Sequence, residues 1–280
     1  MSQRETLTTS RLAIGIDIGG TGTKAGLVDV ATGTMLGSRV REDTPQPATP
    51  QAVIATVASV VSTLGEQSEE AGLLPTAGHV ERLPIGCAFP GVIKQGTVQF
   101  TGNLDAAFDG FPIVDALSDA LGAKVHMAND ADAAGLAEMT YGAGRDHRKD
   151  TVMMTTLGTG IGTALFAGGR LFPYTELGHL TVDGVAAETR TSVAAMRRDG
   201  YDMQEWCRRL TVYYRELERL FWPDLFIVGG GISKRAADFL SDIDVETPIR
   251  AAELLNNAGI VGAGLLGHNK GKMKVRRKVG

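Results

Sequence analysis

The sequence predicts an α/β protein built as two similar lobes, and three observations predict it. A glycine-rich hairpin sits near the N-terminus, a second of the same kind sits at mid-chain, and strand-like and helix-like segments alternate through the rest. Two such hairpins, one per half, suggest a duplicated architecture whose halves face one phosphate chain. Small-molecule sites form preferentially in a cleft of this kind.

The first hairpin is AIGIDIGGTGTKAGLVDV, residues 13–30. Ile14, Ile16 and Ile18 alternate before the bend, and Ala25, Leu27, Val28 and Val30 restart an apolar pattern after it, with Asp17 on the incoming strand. Gly19, Gly20 and Gly22 let the backbone approach a ligand and turn N–H groups toward an anion, while Thr21, Thr23 and Lys24 add donors and charge. A Walker loop or a dinucleotide turn would open a helix here, whereas Lys24 leads into another strand. An ordinary glycine-rich hairpin would show the same residues.

The second hairpin, TVMMTTLGTGIGTALF at 151–166, repeats the logic with Gly158, Thr159, Gly160 and Gly162 at its bend. A third cluster, FIVGGGISKR at 226–235, places Gly229, Gly230 and Gly231 between an apolar strand and a helix that Ser233 can cap. Anion binding at that helix start and plain tight packing are both open readings.

Between these loops, Thr49 caps a helix with Pro50 at its first position, and Val53, Ile54, Val57, Val61 and Leu64 form one apolar face before Gly65. A strand follows at 83–92, then a short hairpin around Gln95 and Gly96. Pro112 opens a helix that buries Ile113, Val114, Leu117 and Leu121 and ends at Gly122. Residues 124–130 form a strand running into an alanine-rich helix from about Ala131 to Tyr141. The second half holds irregular structure near 170–186, helices near 187–198 and 202–221, the latter stopping before Pro223, a strand through Phe226, a helix SKRAADFL, a short strand at 247–249 and a final helix from about Ala258.

At 280 residues, 43% hydrophobic and 21% charged, the chain is globular. Its net charge of -4 gives no reason to expect nucleic acid. No apolar run reaches membrane-spanning length, and MSQRETLTTSR lacks the apolar centre of a signal peptide, so a cytoplasmic protein is expected. Cys87 and Cys207 are expected to be reduced packing residues.

The polar pair Asn129-Asp130 stands where a strand stops and a helix starts. Asp130 suits a helix cap, and equally a carboxylate that orients and deprotonates a hydroxyl at a strand end. In TELGHLTVDGVAAET, Glu176 and His179 are close together and Glu188 follows a glycine turn. Carboxylate, imidazole and amide are the groups that grip several sugar hydroxyls at once. With Asn103, these residues sketch a polyol pocket.

The motifs DIGGTGTK, AFPGV, NDADAAGLAE, TLGTGIG, ELGH and FIVGGGISK, in this order and across nearly the whole chain, resemble the ROK sugar kinases of the actin/hexokinase/Hsp70 superfamily. TPQPATP at 44–50, YGAG at 141–144 and NAGIVGA at 257–263 are similar to the actinobacterial branch that phosphorylates glucose from inorganic polyphosphate. The resemblance implies two ribonuclease-H-like domains closing over glucose and a phosphoryl donor: 12–127 with a C-terminal helix 258–268, then 128–257, with a basic tail at 269–280. It implies Asp130 as general base on the 6-hydroxyl, and Asn103, Asn129, Glu176, His179 and Glu188 on the other hydroxyls. Asp17 would help position magnesium, the two hairpins would hold the donor phosphates, and Gly229, Gly230 and Gly231 would line the nucleoside side when ATP is used. A homodimer is also implied.

Three departures stand out. No cysteine lies between Cys87 and Cys207, so the zinc site of many ROK proteins is not expected and His179 is left for sugar. The loop after Asn103 reads LDAAFDGFP where the branch carries a lysine and Ser-Trp, which bears on hexose choice. Leu255 stands where an arginine is common. The tail places Lys270, Lys272, Lys274, Arg276, Arg277 and Lys278 together, either as a solvated terminus or as a guide for a polyanion. A mannose or other hexose kinase using ATP is the neighbouring alternative. A sugar-sensing repressor would need a helix-turn-helix before the first strand, where about a dozen residues precede Ala13, and a non-catalytic sensor would leave Asp130 idle.

Overall fold

Period-two alternation decides how the first sheet is built. In the computed structural model, which describes residues 9–74, 82–102 and 104–272, strand β1 (Leu12–Ile18) buries Ile14, Ile16 and Ile18 on one face. It pairs antiparallel with β2 (Thr23–Asp29), which pairs antiparallel with β3 (Thr34–Glu42). Helix α1 (Pro50–Glu70) begins as expected, with Thr49 Oγ1 accepting from Ala52 N–H at 3.4 Å. It continues through Gly65, which is buried within the helix and does not end it. Strand β4 (Ile85–Phe89) lies parallel to β1, and Pro90 separates it from a small hairpin, β5 (Gly91–Lys94) and β6 (Thr97–Thr101). Gln95 and Gly96 both take positive φ at its turn, 53° and 85°. Helix α2 (Ile113–Ala120) leads to β7 (Val125–Asn129), parallel to β4, and then to α3 (Asp130–Tyr141). The sheet order is β3-β2-β1-β4-β7. Its isoleucine face packs with Val53, Val57, Val60 and Leu64 of α1 and with Ile113 and Leu117 of α2.

The second sheet has the same connectivity. Strands β8 (Thr151–Leu157) and β9 (Ile161–Ala167) form the second hairpin, with β10 (Arg170–Phe172) antiparallel at the edge. A two-stranded ribbon, β11 (Thr181–Val182) and β12 (Val185–Ala186), precedes α4 (Glu188–Thr191), α5 (Val193–Asp199) and α6 (Met203–Phe221). Strand β13 (Leu225–Gly229) is parallel to β8, and β14 (Ile249–Ala251) is parallel to β13, giving the order β10-β9-β8-β13-β14. Here α6 covers Met153, Leu157, Phe226 and Val228 with Trp206, Leu210, Tyr213, Tyr214 and Leu217. The helix stops with Trp222 in a left-handed conformation, one residue before Pro223.

Helix α7 (Ala258–Lys272) returns to the first sheet. A Cβ at Gly15 would overlap the Ile260 carbonyl, one at Gly86 the Ala263 carbonyl, and one at Gly262 the Ala133 carbonyl. The glycines let α7 lie backbone against backbone on the face opposite the isoleucines. The chain therefore separates into Met1–Ala137 with Gly259–Gly280, and Glu138–Ala258. That division falls inside α3; the bounds implied by the family resemblance fall at 127/128. Edge strands β3 and β10 were not anticipated, the last strand lies at Ile249–Ala251, not 247–249, and Lys270 and Lys272 belong to α7. Both thiols are free and buried; burial pushes each up, Cys207 to about 11. Among the described residues no helix is long and apolar enough to cross a membrane.

Candidate active site

In the first unit, β1 and β2 place Asp17 directly opposite Lys24. Lys24 Nζ donates to Asp17 Oδ2 at 3.0 Å, and both side chains are partly buried. The start of α7 stands beside the pair, since a Cβ at Gly259 would lie 3.2 Å from Asp17 Cγ. The connecting loop is closed by Gly19 N–H donating to the Gly22 carbonyl at 3.1 Å, so that amide is spent on the turn. Thr44 Oγ1 donates to the Gly19 carbonyl at 2.6 Å and braces the loop from outside. Thr21 is exposed, Gly20 is partly exposed, and Thr23 is fully buried. Thr23 was expected to add a donor to the loop; opposite Ile18 in the register its side chain belongs to the buried face, and its hydroxyl has no partner among the described residues.

Arg41 joins this loop without any motif in the sequence that marks it. From β3 its guanidinium crosses the loop, donating to the Thr21 carbonyl at 3.3 Å, and a Cβ at Gly22 would stand 2.8 Å from its Nη2. Gly22 is thus a seat for a cation. The only signal in the sequence was an arginine in an unassigned stretch after the hairpin.

Asn129 and Asp130 divide the two roles proposed for the pair. Asn129 Oδ1 accepts from Ala131 N–H at 2.9 Å and Asp132 N–H at 3.2 Å, while its Nδ2 donates to the Gly91 carbonyl at 3.3 Å. Asn129 is therefore the cap, engaged at both ends of its amide. Asp130 is the first helical residue, partly exposed, and its Oδ1 also accepts from Ala131 N–H at 2.8 Å. Asn103 lies outside the described residues, as do Lys274, Arg276, Arg277 and Lys278.

In the second unit Glu176, His179 and Glu188 come together. Gly178 packs its backbone on β9, where a Cβ would overlap the Ile161 carbonyl, and Thr163 bonds the Thr175 carbonyl while accepting from Leu177 N–H at 3.1 Å. This strap presents Glu176 and His179 side by side. Glu188, at the start of α4, faces two ways: Oε2 accepts from Ile161 N–H at 3.0 Å, and Oε1 lies 3.6 Å from His179 Nδ1. Burial pushes the Glu176 carboxyl up, the His179 ring opposes that rise, and the Glu188 charge adds to it.

The second glycine loop mirrors the first. Gly158 N–H donates to the Gly160 carbonyl at 3.0 Å, and Gly160 leaves room for Glu188, whose Oε2 is 2.5 Å from where a Cβ would stand. The third cluster splits. Gly229 and Gly230 are packing residues, the first against Met154 Cε and the second, at φ 85°, against the Leu157 carbonyl. Gly231 is open and lines a cavity with Gly158 and Thr159. The segment after it is not the expected α-helix: it is a 3-10 element, Gly231–Asp238, broken at Arg235, and Ser233 sits inside it donating to the Gly230 carbonyl at 2.8 Å. No group of three or more metal-ligating side chains occurs among the described residues. Asp17 remains as the acid beside a phosphate-type loop, and one carboxylate with substrate phosphates and waters is a usual arrangement for magnesium.

Two sheets of one connectivity, each opening on a glycine hairpin, define the actin-like ATPase fold. Within it the chain belongs to the ROK family, whose model matches residues 13–208. It is 41% identical over 259 residues, 92% of each chain, to a polyphosphate glucokinase of Mycobacterium tuberculosis (strain CDC 1551 / Oshkosh). The crystal structure of an inorganic polyphosphate/ATP-glucomannokinase from Arthrobacter sp. strain KM is similar at 49% identity and a TM-score of 0.84, covering 91% of this chain and 97% of that one. A ROK family glucokinase from Streptomyces griseus, in complex with glucose and AMPPNP, is similar at 26% identity and a TM-score of 0.76, covering 92% and 99%.

Proposed function

We propose that this chain transfers a phosphoryl group from inorganic polyphosphate, and from ATP, to the 6-hydroxyl of glucose. The observation that carries the reading is Glu188, which holds the second glycine loop through Oε2 and faces His179 through Oε1. A hydroxyl-gripping cluster and a phosphate-type loop are thereby one piece of structure. The donors and the sugar follow the Mycobacterium, Arthrobacter and Streptomyces proteins to which the chain is similar.

Phosphoryl transfer asks mainly for alignment and for neutralised charge. Glu176, His179 and Glu188, with Asn103, hold sugar hydroxyls. Asn129 fixes the helix start that carries Asp130. Asp130 takes the 6-hydroxyl proton as the new P–O bond forms, and the donor leaves shortened by one phosphate. The two glycine loops, with Lys24, grip the donor phosphates. Magnesium bound with those phosphates supplies neutralising charge, and Asp17 is the residue that would hold it. A homodimer rests on the family resemblance.

Mannose is a second acceptor to consider, because the Arthrobacter protein is named for both sugars. The test is sugar 6-phosphate formation with magnesium, using polyphosphate or ATP as sole donor and glucose or mannose as acceptor. Glucose with polyphosphate should turn over fastest. Turnover with ATP alone would leave a general ROK hexokinase, and no phosphorylation of either sugar would overturn the reading.

A further inference from the structure

The cavity that Gly158, Thr159 and Gly231 line in the second unit has a volume of about 360 Å3, and two arginines complete its wall, Arg197 and Arg235. The other lining residues are apolar, and no acid is among them. Arg197 is in the last turn of α5, where cations favour the helix end. The acid nearest in sequence does not neutralise it. Asp199 is held by Arg198, through Nε and Nη2 at 2.7 Å each, and by Tyr201 Oη at 2.8 Å. Arg197 is exposed and has no hydrogen-bond or ion-pair partner among the described residues. Arg235 gives its Nε to Asp238 at 2.8 Å, which leaves its terminal nitrogens. It stands where the 3-10 element breaks, with φ -108° and ψ 23°.

A nucleotide donor carries its charge on three phosphates and then becomes a neutral nucleoside. A polyphosphate chain continues its charge with every unit. Cations that meet charge beyond the three phosphates of a nucleotide therefore distinguish the two, and a guanidinium matches phosphate oxygens two at a time. We propose that Arg197 and Arg235 hold the distal phosphates of an inorganic polyphosphate chain whose reacting end lies at the Gly158–Gly160 loop, and so set donor preference. This rests on the reading of the chain as a polyphosphate-using sugar kinase.

The test compares wild type with Arg197→Ala, Arg197→Lys and the double variant Arg197→Ala/Arg235→Ala. Turnover is measured with long polyphosphate, tripolyphosphate and ATP at saturating glucose, across a salt series. Both side chains are exposed, so matching thermal melts are expected. The double variant should lose about tenfold or more in kcat/KM with long polyphosphate, with a shallower dependence on salt. Its loss with ATP and with tripolyphosphate should be about fivefold smaller than with long polyphosphate, and Arg197→Lys should lose less with long polyphosphate than Arg197→Ala. Equal losses with ATP and long polyphosphate, or no loss with either, would overturn it. Failure of wild type with every donor would instead strike the functional reading. In that event a direct titration of long polyphosphate onto wild type and the double variant decides the proposal, since equal affinity overturns it and weaker binding by the variant supports it.

Discussion

Asp130 and Asn129 show how two adjacent residues share one helix start. Because Asn129 already caps α3 through Oδ1, Asp130→Asn should leave the helix in place. Turnover should then fall by about 10²–10⁴ while glucose binding, followed by titration, stays near wild type. Retained turnover would remove Asp130 from the base role. Glu176 gives a second prediction, and its sign follows from burial. A carboxyl raised above its ordinary 4.5 on folding contributes stability that is fully present below that value and is lost as pH rises through the raised one. Glu176→Gln removes that loss, so the variant should melt higher than wild type at pH 7 and the gap should close toward pH 4. A lower melting temperature at pH 7 would show that the charged form is stabilised by groups facing it. The same variant should bind glucose more weakly, a separate readout that keeps the sugar role apart from the stability one.

Among the elements, the hairpins and capped helices were legible because their signals are local. Thr49-Pro50, the Gln95-Gly96 turn and the stop before Pro223 each depend on a few neighbouring residues. The edge strands were not. Residues of β3 are mostly exposed and show little alternation, and the strand exists because β2 offers it a ladder. Missing β3 meant missing Arg41, whose place over Gly22 is a product of that pairing. If Arg41 helps the first loop receive phosphate, Arg41→Ala should raise the donor KM by roughly fivefold, a surface-sized effect of about 1 kcal/mol. Gly22→Ala, which displaces the guanidinium, should do the same. Steady-state kinetics with ATP and with polyphosphate check this, and an unchanged KM in both variants would make Arg41 a brace for the loop alone. The helix expected after Gly231 failed for another reason: Ser233 turned its hydroxyl back to the Gly230 carbonyl, and the backbone tightened into 3-10 turns.

On the scale of the whole molecule, duplication was readable from two glycine bends, whereas the chain's closing move was expected only through the family resemblance, which places a C-terminal helix 258–268 with the first domain. Nothing local in NAGIVGAGLL announces that it crosses back to the N-terminal sheet. The reason becomes visible only when Gly15 and Gly86, on two different strands, are seen to meet the carbonyls of Ile260 and Ala263. A run of small residues in the last helix and a glycine in each of two strands are complementary surfaces separated by most of the chain. The first unit is thus complete only when its final segment is in place. Adding one methyl at that interface tests the idea. Gly15→Ala has no flexible side chain to push aside, since the obstacle is backbone, so the helix must lift or the strand must bend, and overpacking of this kind costs about 1–3 kcal/mol. Gly231→Ala, where a Cβ meets nothing within 4 Å, is the control and should unfold as wild type does. Denaturant titrations of both variants measure the difference. If Gly15→Ala were as stable as wild type, α7 would not be seated on the sheet by these glycines. The expected loss would instead show that the segment bearing Gly259 beside Asp17 is held against the first phosphate loop by the packing of bare backbone.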